Sequence, residues 1–202
     1  MNVRLKHDIV FTAGIYYNDV LRMNNYSLRL WMITNTYDAS SHNIAFDRIK
    51  HFVYSEIDST IFINSDNQLQ CQQLVDAGLK ITTMPGDPVD QLVGLMLYYK
   101  LNAITESRMT IVETELSSLL GESMSYLHSE NETTEDIDRP DWWSSADLVH
   151  CDSNLIDPDK VVILHQSSIW RDLDLAWPNV EGAEETGNTV VFADFKGSDD
   201  TK

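Results

Sequence analysis

The stretch HSENETTEDIDRPDWWSSADLVHCD, residues 128–152, gathers the side chains best suited to metal or acid–base chemistry. His128, His150 and Asp152 are residue types that bind zinc and other divalent ions. No histidine pair in the stretch has HxxxH or HExxH spacing, which is what places two ligands on one helix face. These three residues are therefore candidate metal ligands, and the alternative is a polar loop whose histidines meet solvent or backbone.

Two pairs of alternating carboxylates form a second candidate centre: Glu113 and Glu115 in ETE, and Asp172 and Asp174 in DLD. Alternate residues of a strand share a face, so two such pairs that meet could hold the divalent ions of a phosphoester hydrolase. In that hypothesis the four carboxylates are the catalytic residues. Neither motif carries the nearby lysine of the common nuclease pattern, and an acidic chain produces such pairs by chance.

Tryptophans are concentrated in the same half of the chain, where four of the five lie between residues 142 and 177. Indoles in a polar segment either pin it to the domain or lie exposed as contact anchors, since tryptophan is enriched at binding hot spots. Pinning of the segment is the favoured interpretation of the indoles, whereas the functional hypothesis uses the other interpretation, an outward binding surface. That surface would contain Asp141, Trp142, Trp143 and Trp170.

Charge restricts the classes of partner. The 202 residues include 32 acidic and 14 basic side chains, which gives a net charge of −18, and the acidic excess is concentrated after Ser129. Such a chain repels phosphate backbones, so direct binding of nucleic acid is disfavoured. A basic protein partner, or imitation of the electrostatic field of a nucleic acid, remains compatible with this charge.

Other signals point to a cytoplasmic protein without a cofactor. The N-terminal sequence MNVRLKHDIVF lacks the apolar core and cleavage site of a signal peptide. The longest apolar run, residues 92–99, is far shorter than the ~20 residues of a membrane span. Two cysteines without CxxC spacing are typical of free thiols in a reducing compartment. No phosphate-binding glycine loop or nucleophile elbow occurs, and we predict no cofactor other than the alternative divalent metal.

Hydrophobic periodicity predicts alternating strands and helices in the first 128 residues. Residues 3–11 and 26–35 should pair as antiparallel strands, joined by a loop or short helical turn. An amphipathic helix at 43–57 carries one apolar stripe: Ala45, Ile49, Phe52, Val53 and Ile57. A strand at 59–64, a helix at 66–78 with Asp66 as N-cap, and a strand at 79–84 form a crossover unit with parallel strands.

The helix predicted at 88–105 is apolar almost all round, with Asp87 as its N-cap and Pro88 as its first residue. Such a helix must be covered by other elements, so it is expected at the centre of the core. Residues 108–116 and 123–128 follow as a hairpin. After residue 129 the periodicity is lost, and strands at 160–170 and 188–195 are expected to return to the sheet.

The predicted fold class is α+β, with a mixed and mostly antiparallel sheet packed against the helix at 88–105. Residues 1–128 form the α+β core. Residues 129–202 form an acidic, loop-rich elaboration with returning strands, within the same single domain.

Three segments, NIAFDRIKHFVYSEIDSTIFIN, PVDQLVGLMLYYKLNAITESRMTIVETELSSLLGESMSYLHSENE and DWW, carry a resemblance to a known group. They resemble small uncharacterised proteins of T4-like phages of marine bacteria. The resemblance covers most of the chain and assigns no chemical role to any residue. It implies synthesis in the cytoplasm of an infected bacterium and an accessory or inhibitory role against host machinery.

The leading functional hypothesis is a non-enzymatic, acidic accessory protein that binds another, basic protein through its acidic, tryptophan-bearing surface. The lack of a catalytic signature and the uneven charge are its basis. The alternatives are the divalent-metal-dependent phosphoester hydrolase and an inhibitor that mimics nucleic acid.

Overall fold

The computed structural model describes residues 4–35, 38–130, 139–150 and 169–178. In chain order the elements are β1 (Arg4–Tyr17), β2 (Val20–Thr34), α1 (Ala39–His51), a π-helix (Phe52–Ile57), β3 (Ile61–Asn64), α2 (Gln68–Asp76), β4 (Ile81–Met84), α3 (Asp90–Thr105), β5 (Met109–Ser118), β6 (Ser125–Ser129), a 3-10 helix (Asp141–Trp143) and α4 (Ile169–Asp172). Within these ranges no helix combines the length and apolar character needed to span a lipid bilayer.

The strands form one six-stranded sheet in the order β4-β3-β1-β2-β5-β6. The pairs β1–β2, β2–β5 and β5–β6 are antiparallel, whereas β1–β3 and β3–β4 are parallel. The predicted α+β class with a mixed, mostly antiparallel sheet is therefore confirmed. The parallel pairing of the two crossover strands and the hairpin of β5 and β6 are confirmed as well.

The first hairpin is much longer than the sequence predicts. Residues 16–25, expected to be a loop or helical turn, continue both strands, and Tyr17 pairs with Val20. Asn18 and Asp19 form the connection with φ values of 49° and 58°. Asparagine and aspartate tolerate this left-handed region, and two such residues close a tight hairpin turn. The predicted antiparallel pairing of residues 3–11 with 26–35 is confirmed. The extension of both strands was not predicted, because the alternation of apolar and polar residues is weak between Tyr16 and Asn25.

One face of the sheet is covered by a helical layer. Asp38 caps α1 by accepting hydrogen bonds from the backbone N–H groups of Ser40 and Ser41. The helix continues as a π-helix, and the predicted stripe from Ala45 to Ile57 is completely buried. Burial of that stripe against the sheet is the main source of stability for this helix.

The central helix α3 is buried on nearly all sides, as its sequence predicts. Its start differs from the prediction: the N-cap is Val89 and not Asp87, and no side chain caps the helix. Asp87 instead accepts a backbone hydrogen bond from Val89 in the turn before the helix. At Gly94 the imidazole of His128 would lie 2.9 Å from an added Cβ, so only glycine permits β6 to pack this closely on α3.

The opposite face of the sheet is only partly covered. The buried side chain of Phe62 belongs to the main core, while Ile61 and Ile63 pack with Cys71 of α2 in a second, smaller cluster. This split follows from the alternation of side chains along β3. Because α2 covers only the region of β3 and β4, much of β1, β2, β5 and β6 faces solvent on this side. We call this the open face.

Two sequence predictions lie partly or wholly beyond the described residues. The strand predicted at 188–195 and most of that at 160–170 fall outside them. Residues 169 and 170 belong to α4, so for these two positions the strand prediction is wrong. The helix predicted at 66–78 is found as Gln68–Asp76, with Asn67 and not Asp66 at its N-cap.

Candidate functional site

The tryptophan-bearing segments 139–150 and 169–178 pack against the core. Trp142, Trp143 and Trp170 are 5%, 0% and 5% exposed, and among the four residues proposed as a binding surface Asp141 is the exposed one. The hypothesis that these indoles are exposed contact residues is therefore wrong. The interpretation that they hold the segments to the core is correct. The physical reason is that burying an indole removes more apolar area from water than any other side chain does.

A buried lysine holds the first of these segments. Lys100 of α3 is completely buried, and its Nζ donates hydrogen bonds to the carbonyl oxygens of Trp142 at 2.8 Å, Ser145 at 2.9 Å and Asp147 at 2.6 Å. The ammonium also lies 5.6 Å from the centre of the Trp142 ring. All three ammonium donors are thus satisfied by one segment. Burial nevertheless lowers the pKa of Lys100 to about 7, because the charged form is disfavoured away from water.

A buried arginine holds the second segment in a parallel manner. Arg48 of α1 is 2% exposed and donates to the carbonyl oxygens of Leu175 and Ile104 and to the Glu106 carboxylate. Its guanidinium lies 4.5 Å from the ring centre of Trp170 and 3.8 Å from that of Trp177. The Trp170 indole N–H donates to Ala146 O at 2.8 Å, which connects the two segments. Trp142, Trp143 and Trp170 therefore hold the two segments to the core and are not available as a docking surface.

The candidate metal ligands are not brought together. His128 is buried on β6 against α3, whereas the carbonyl oxygen of His150 accepts a hydrogen bond from Thr83 N of β4, at the other edge of the sheet. Nδ1 of His150 lies 3.5 Å from the Glu56 carboxylate, and burial lowers the pKa of His150. Asp152 lies outside the described residues. Across the described ranges no three His, Cys, Asp or Glu side chains are grouped so that they could hold a metal ion.

The two carboxylate pairs lie on different sides of the molecule. Glu115 lies on the open face of β5 and accepts a hydrogen bond from Arg29, which also pairs with Asp8. Asp172 ends α4 and Asp174 follows it in a turn, beside the helical layer. The strand geometry assumed for DLD is wrong, because this segment begins as a helix. Glu113 and Glu115 do share the open face, but the four carboxylates form no common centre.

A different region exposes its large apolar side chains. The β1–β2 hairpin extends past the start of α3, and the turn between β5 and β6 lies beside it through hydrogen bonds from Leu119 N to Asn25 O and from Leu120 N to Asn24 Oδ1. Eight large apolar side chains here are between 44% and 66% exposed. We call them the hairpin-end surface: Tyr17, Val20, Leu21, Met23, Val89, Leu119, Leu120 and Met124.

Four residues of the hairpin-end surface, Tyr17, Val20, Val89 and Leu120, line a cavity of about 410 Å³, which we call the hairpin pocket. Asp90, in the first turn of α3, contributes the carboxylate of this pocket and is itself 9% exposed. Ser118 Oγ donates to Asp90 Oδ2 at 2.5 Å and accepts from Gly121 N at 3.0 Å, so the carboxylate orientation is fixed. The walls are mainly apolar and include Tyr17, Val20, Val89, Leu120 and Tyr126.

Sequence reasoning missed both buried cations and the hairpin pocket. From the sequence no role is assigned to Lys100, although a lysine inside a helix that is apolar all round already predicts an internal partner. The pocket gives no comparable local signal. Its walls come from β1, β2, the start of α3 and the β5–β6 turn, which only the sheet order brings together.

Comparison with known proteins gives little. No protein-family model and no curated protein matches the chain. Among solved structures, the chain is similar to an uncharacterised protein, WS1659, from Wolinella succinogenes, with a TM-score of 0.48 and 9% sequence identity. The match covers 65% of this chain and 99% of that one. A likeness of this size assigns no function to the chain.

Proposed function

We propose that the chain is an acidic accessory protein that binds a basic protein partner, and that the hairpin-end surface is its contact surface. The observation that carries the proposal is the exposure of eight large apolar side chains at one end of the sheet. Single exposed apolar residues are ordinary, but several at one end of a sheet, four of them lining a cavity, are typical of an interaction site.

The electrostatics support a basic partner. With a net charge of −18 the chain attracts basic proteins and repels acidic ones at long range. The tryptophans are not needed for contact in this proposal, because Lys100 and Arg48 already bind their segments. The apolar side chains supply the desolvated centre of the interface, and the surrounding carboxylates increase the rate of association.

Site-specific photo-crosslinking in cell lysate tests the contact surface. A photoreactive residue at Met23 should give a discrete crosslinked product, which weakens at high salt and disappears when Val20 and Leu120 are both changed to Ser. Leu69 of α2 is the matched control, because it is apolar and 67% exposed but lies away from the hairpin. Equal crosslinking at Leu69 and Met23, or none at Met23 at any salt concentration, would contradict the proposal.

A further inference from the structure

The hairpin pocket holds a mostly buried carboxylate that has no cationic partner among the described residues. Asp90 is 9% exposed, and none of the ion pairs in the described ranges involves it. Removing a carboxylate from water is costly unless a cation and hydrogen bonds replace the water. Ser118 supplies one hydrogen bond, to Oδ2. The positive end of the α3 dipole also favours the carboxylate, but no cationic side chain of the described residues forms an ion pair with it.

Two buried polar side chains, Asn24 and Tyr26, also lie near Asp90. Asn24 and Tyr26 are each 2% exposed, and the Tyr26 hydroxyl interacts with the Asn24 side chain, while neither this hydroxyl nor Asn24 Nδ2 has a hydrogen bond outside that pair. Burial raises the pKa of Tyr26, and the nearby Asp90 carboxylate adds to this effect. Neither of these side chains supplies a positive charge to Asp90.

The pocket walls match the shape of a long cationic side chain. Val20, Val89 and Leu120 line the pocket and are each about half exposed. Lysine and arginine bury their methylene groups against such surfaces while the charged end reaches a polar partner. Because Ser118 already occupies Oδ2, two parallel hydrogen bonds from a guanidinium are disfavoured. A single ammonium, which acts as a compact charge, suits the remaining oxygen better.

We propose that the hairpin pocket binds a lysine side chain of the basic partner, with the ammonium against the Asp90 carboxylate and the methylenes between Val20, Val89 and Leu120. This inference rests on the proposed function, since it names the residue that the contact surface recognises. Arg22, which is exposed and also lines the pocket, forms no ion pair with Asp90, and its like charge opposes binding of the ammonium.

Two probes of equal length separate the charge from the apolar contact. Titration of the full chain with n-hexylammonium, followed by NMR, should perturb the amides of Val89, Asp90 and Leu120, and hexan-1-ol should bind at least about tenfold more weakly. Asp90→Asn should lower the affinity for hexylammonium by about tenfold and leave that for hexanol within about twofold. Glu122→Gln is the control, because it removes a carboxylate from the same turn, outside the pocket, and should change neither affinity.

Two exposed positions keep the test independent of any folding defect in Asp90→Asn. Leu120→Lys places a tethered ammonium at the pocket and should lower hexylammonium affinity by about tenfold, and Arg22→Gln should raise it severalfold. Hexylammonium binding no tighter than hexanol would overturn the lysine pocket, even if Met23 still crosslinks to a partner. Conversely, tight hexylammonium binding without crosslinking at Met23 would contradict the proposed function and leave an amine-binding pocket.

Discussion

The tryptophan-bearing segments and the hairpin end both carry large apolar side chains next to acidic residues, yet their positions are opposite. In the segments, Trp143 is completely buried, and Lys100 and Arg48 bind the backbone carbonyls. At the hairpin end, Met23 is 59% exposed, and the Asp90 carboxylate forms no ion pair within the described residues. Composition alone does not distinguish a segment that is held to the core from a contact surface. The two regions differ in whether a buried cation of the core binds their polar groups, as Lys100 and Arg48 bind the carbonyl oxygens of the two segments.

The largest loss of stability is expected when Lys100 is replaced. Lys100→Met removes three hydrogen bonds and leaves the carbonyls of Trp142, Ser145 and Asp147 without their donor. Breaking a buried charged interaction on one side typically costs about 3–5 kcal/mol, and we expect a loss of that size in the free energy of unfolding, measured with urea. Lys50→Met, at a half-exposed position on α1 where the lysine forms a surface ion pair with Asp47, should change it by no more than about 1 kcal/mol. Equal losses in both variants would show that Lys100 is not an anchor.

A somewhat smaller loss is expected for the arginine anchor. Arg48→Met removes the hydrogen bonds to Leu175, Ile104 and Glu106 together with the contact with two indoles, and should cost about 2–4 kcal/mol. Arg48→Lys keeps the charge but loses the planar stacking, so it should recover only part of the stability. Thermal unfolding followed by tryptophan fluorescence provides the measurement. Full recovery by lysine would show that charge alone matters at this position.

The contributions of Lys100 and Arg48 to the free energy of unfolding should differ in their dependence on pH. Burial lowers the pKa of Lys100 from 10.5 to about 7, so between these values the unfolded chain binds more protons than the folded one. The free energy of unfolding should therefore rise with pH in this window, by at most about 1.4 kcal/mol per pH unit from this residue. The three carbonyl acceptors favour the ammonium and reduce the slope.

The slope attributed to Lys100 is the difference between the wild-type and Lys100→Met curves of unfolding free energy against pH. It should persist in Arg48→Met, because a guanidinium stays charged throughout this range. Parallel curves for the wild type and Lys100→Met between pH 7 and 10 would contradict the assignment.

The smallest effect on stability is expected at the hairpin end. Met23→Ser and Leu120→Ser replace side chains that are 59% and 50% exposed, and each should change the free energy of unfolding by no more than about 0.5 kcal/mol. Leu120→Ser should also reduce the partner crosslinking from the photoreactive residue at Met23, since it removes an apolar contact of the proposed surface. If either variant costs as much stability as Lys100→Met, the surface is part of the core and the contrast between the two regions fails.

Much of the fold follows from local patterns in the chain. The buried stripe of α1, the central position of α3 and the parallel pairing of β3 with β4 were all predictable, because burial repeats with the period of the element. The candidate site was not predictable in this way. His128 and His150 lie 22 positions apart in the chain, but the sheet order places them near opposite edges of the sheet. The β1–β2 turn was missed because two residues, Asn18 and Asp19, carry all of its signal.

The sequence by itself determined the elements that bury a periodic apolar face, the α+β class and the strong negative charge. Each of these depends on neighbouring residues or on a sum over the chain. Only the tertiary structure decided that the tryptophans of the two segments pack against the core and that the two carboxylate pairs lie on different sides of the molecule. It also decided that Asp90 lies in a mainly apolar pocket. These outcomes depend on contacts between residues distant in sequence, such as Lys100 with Asp147 and Arg48 with Leu175, which no local period records.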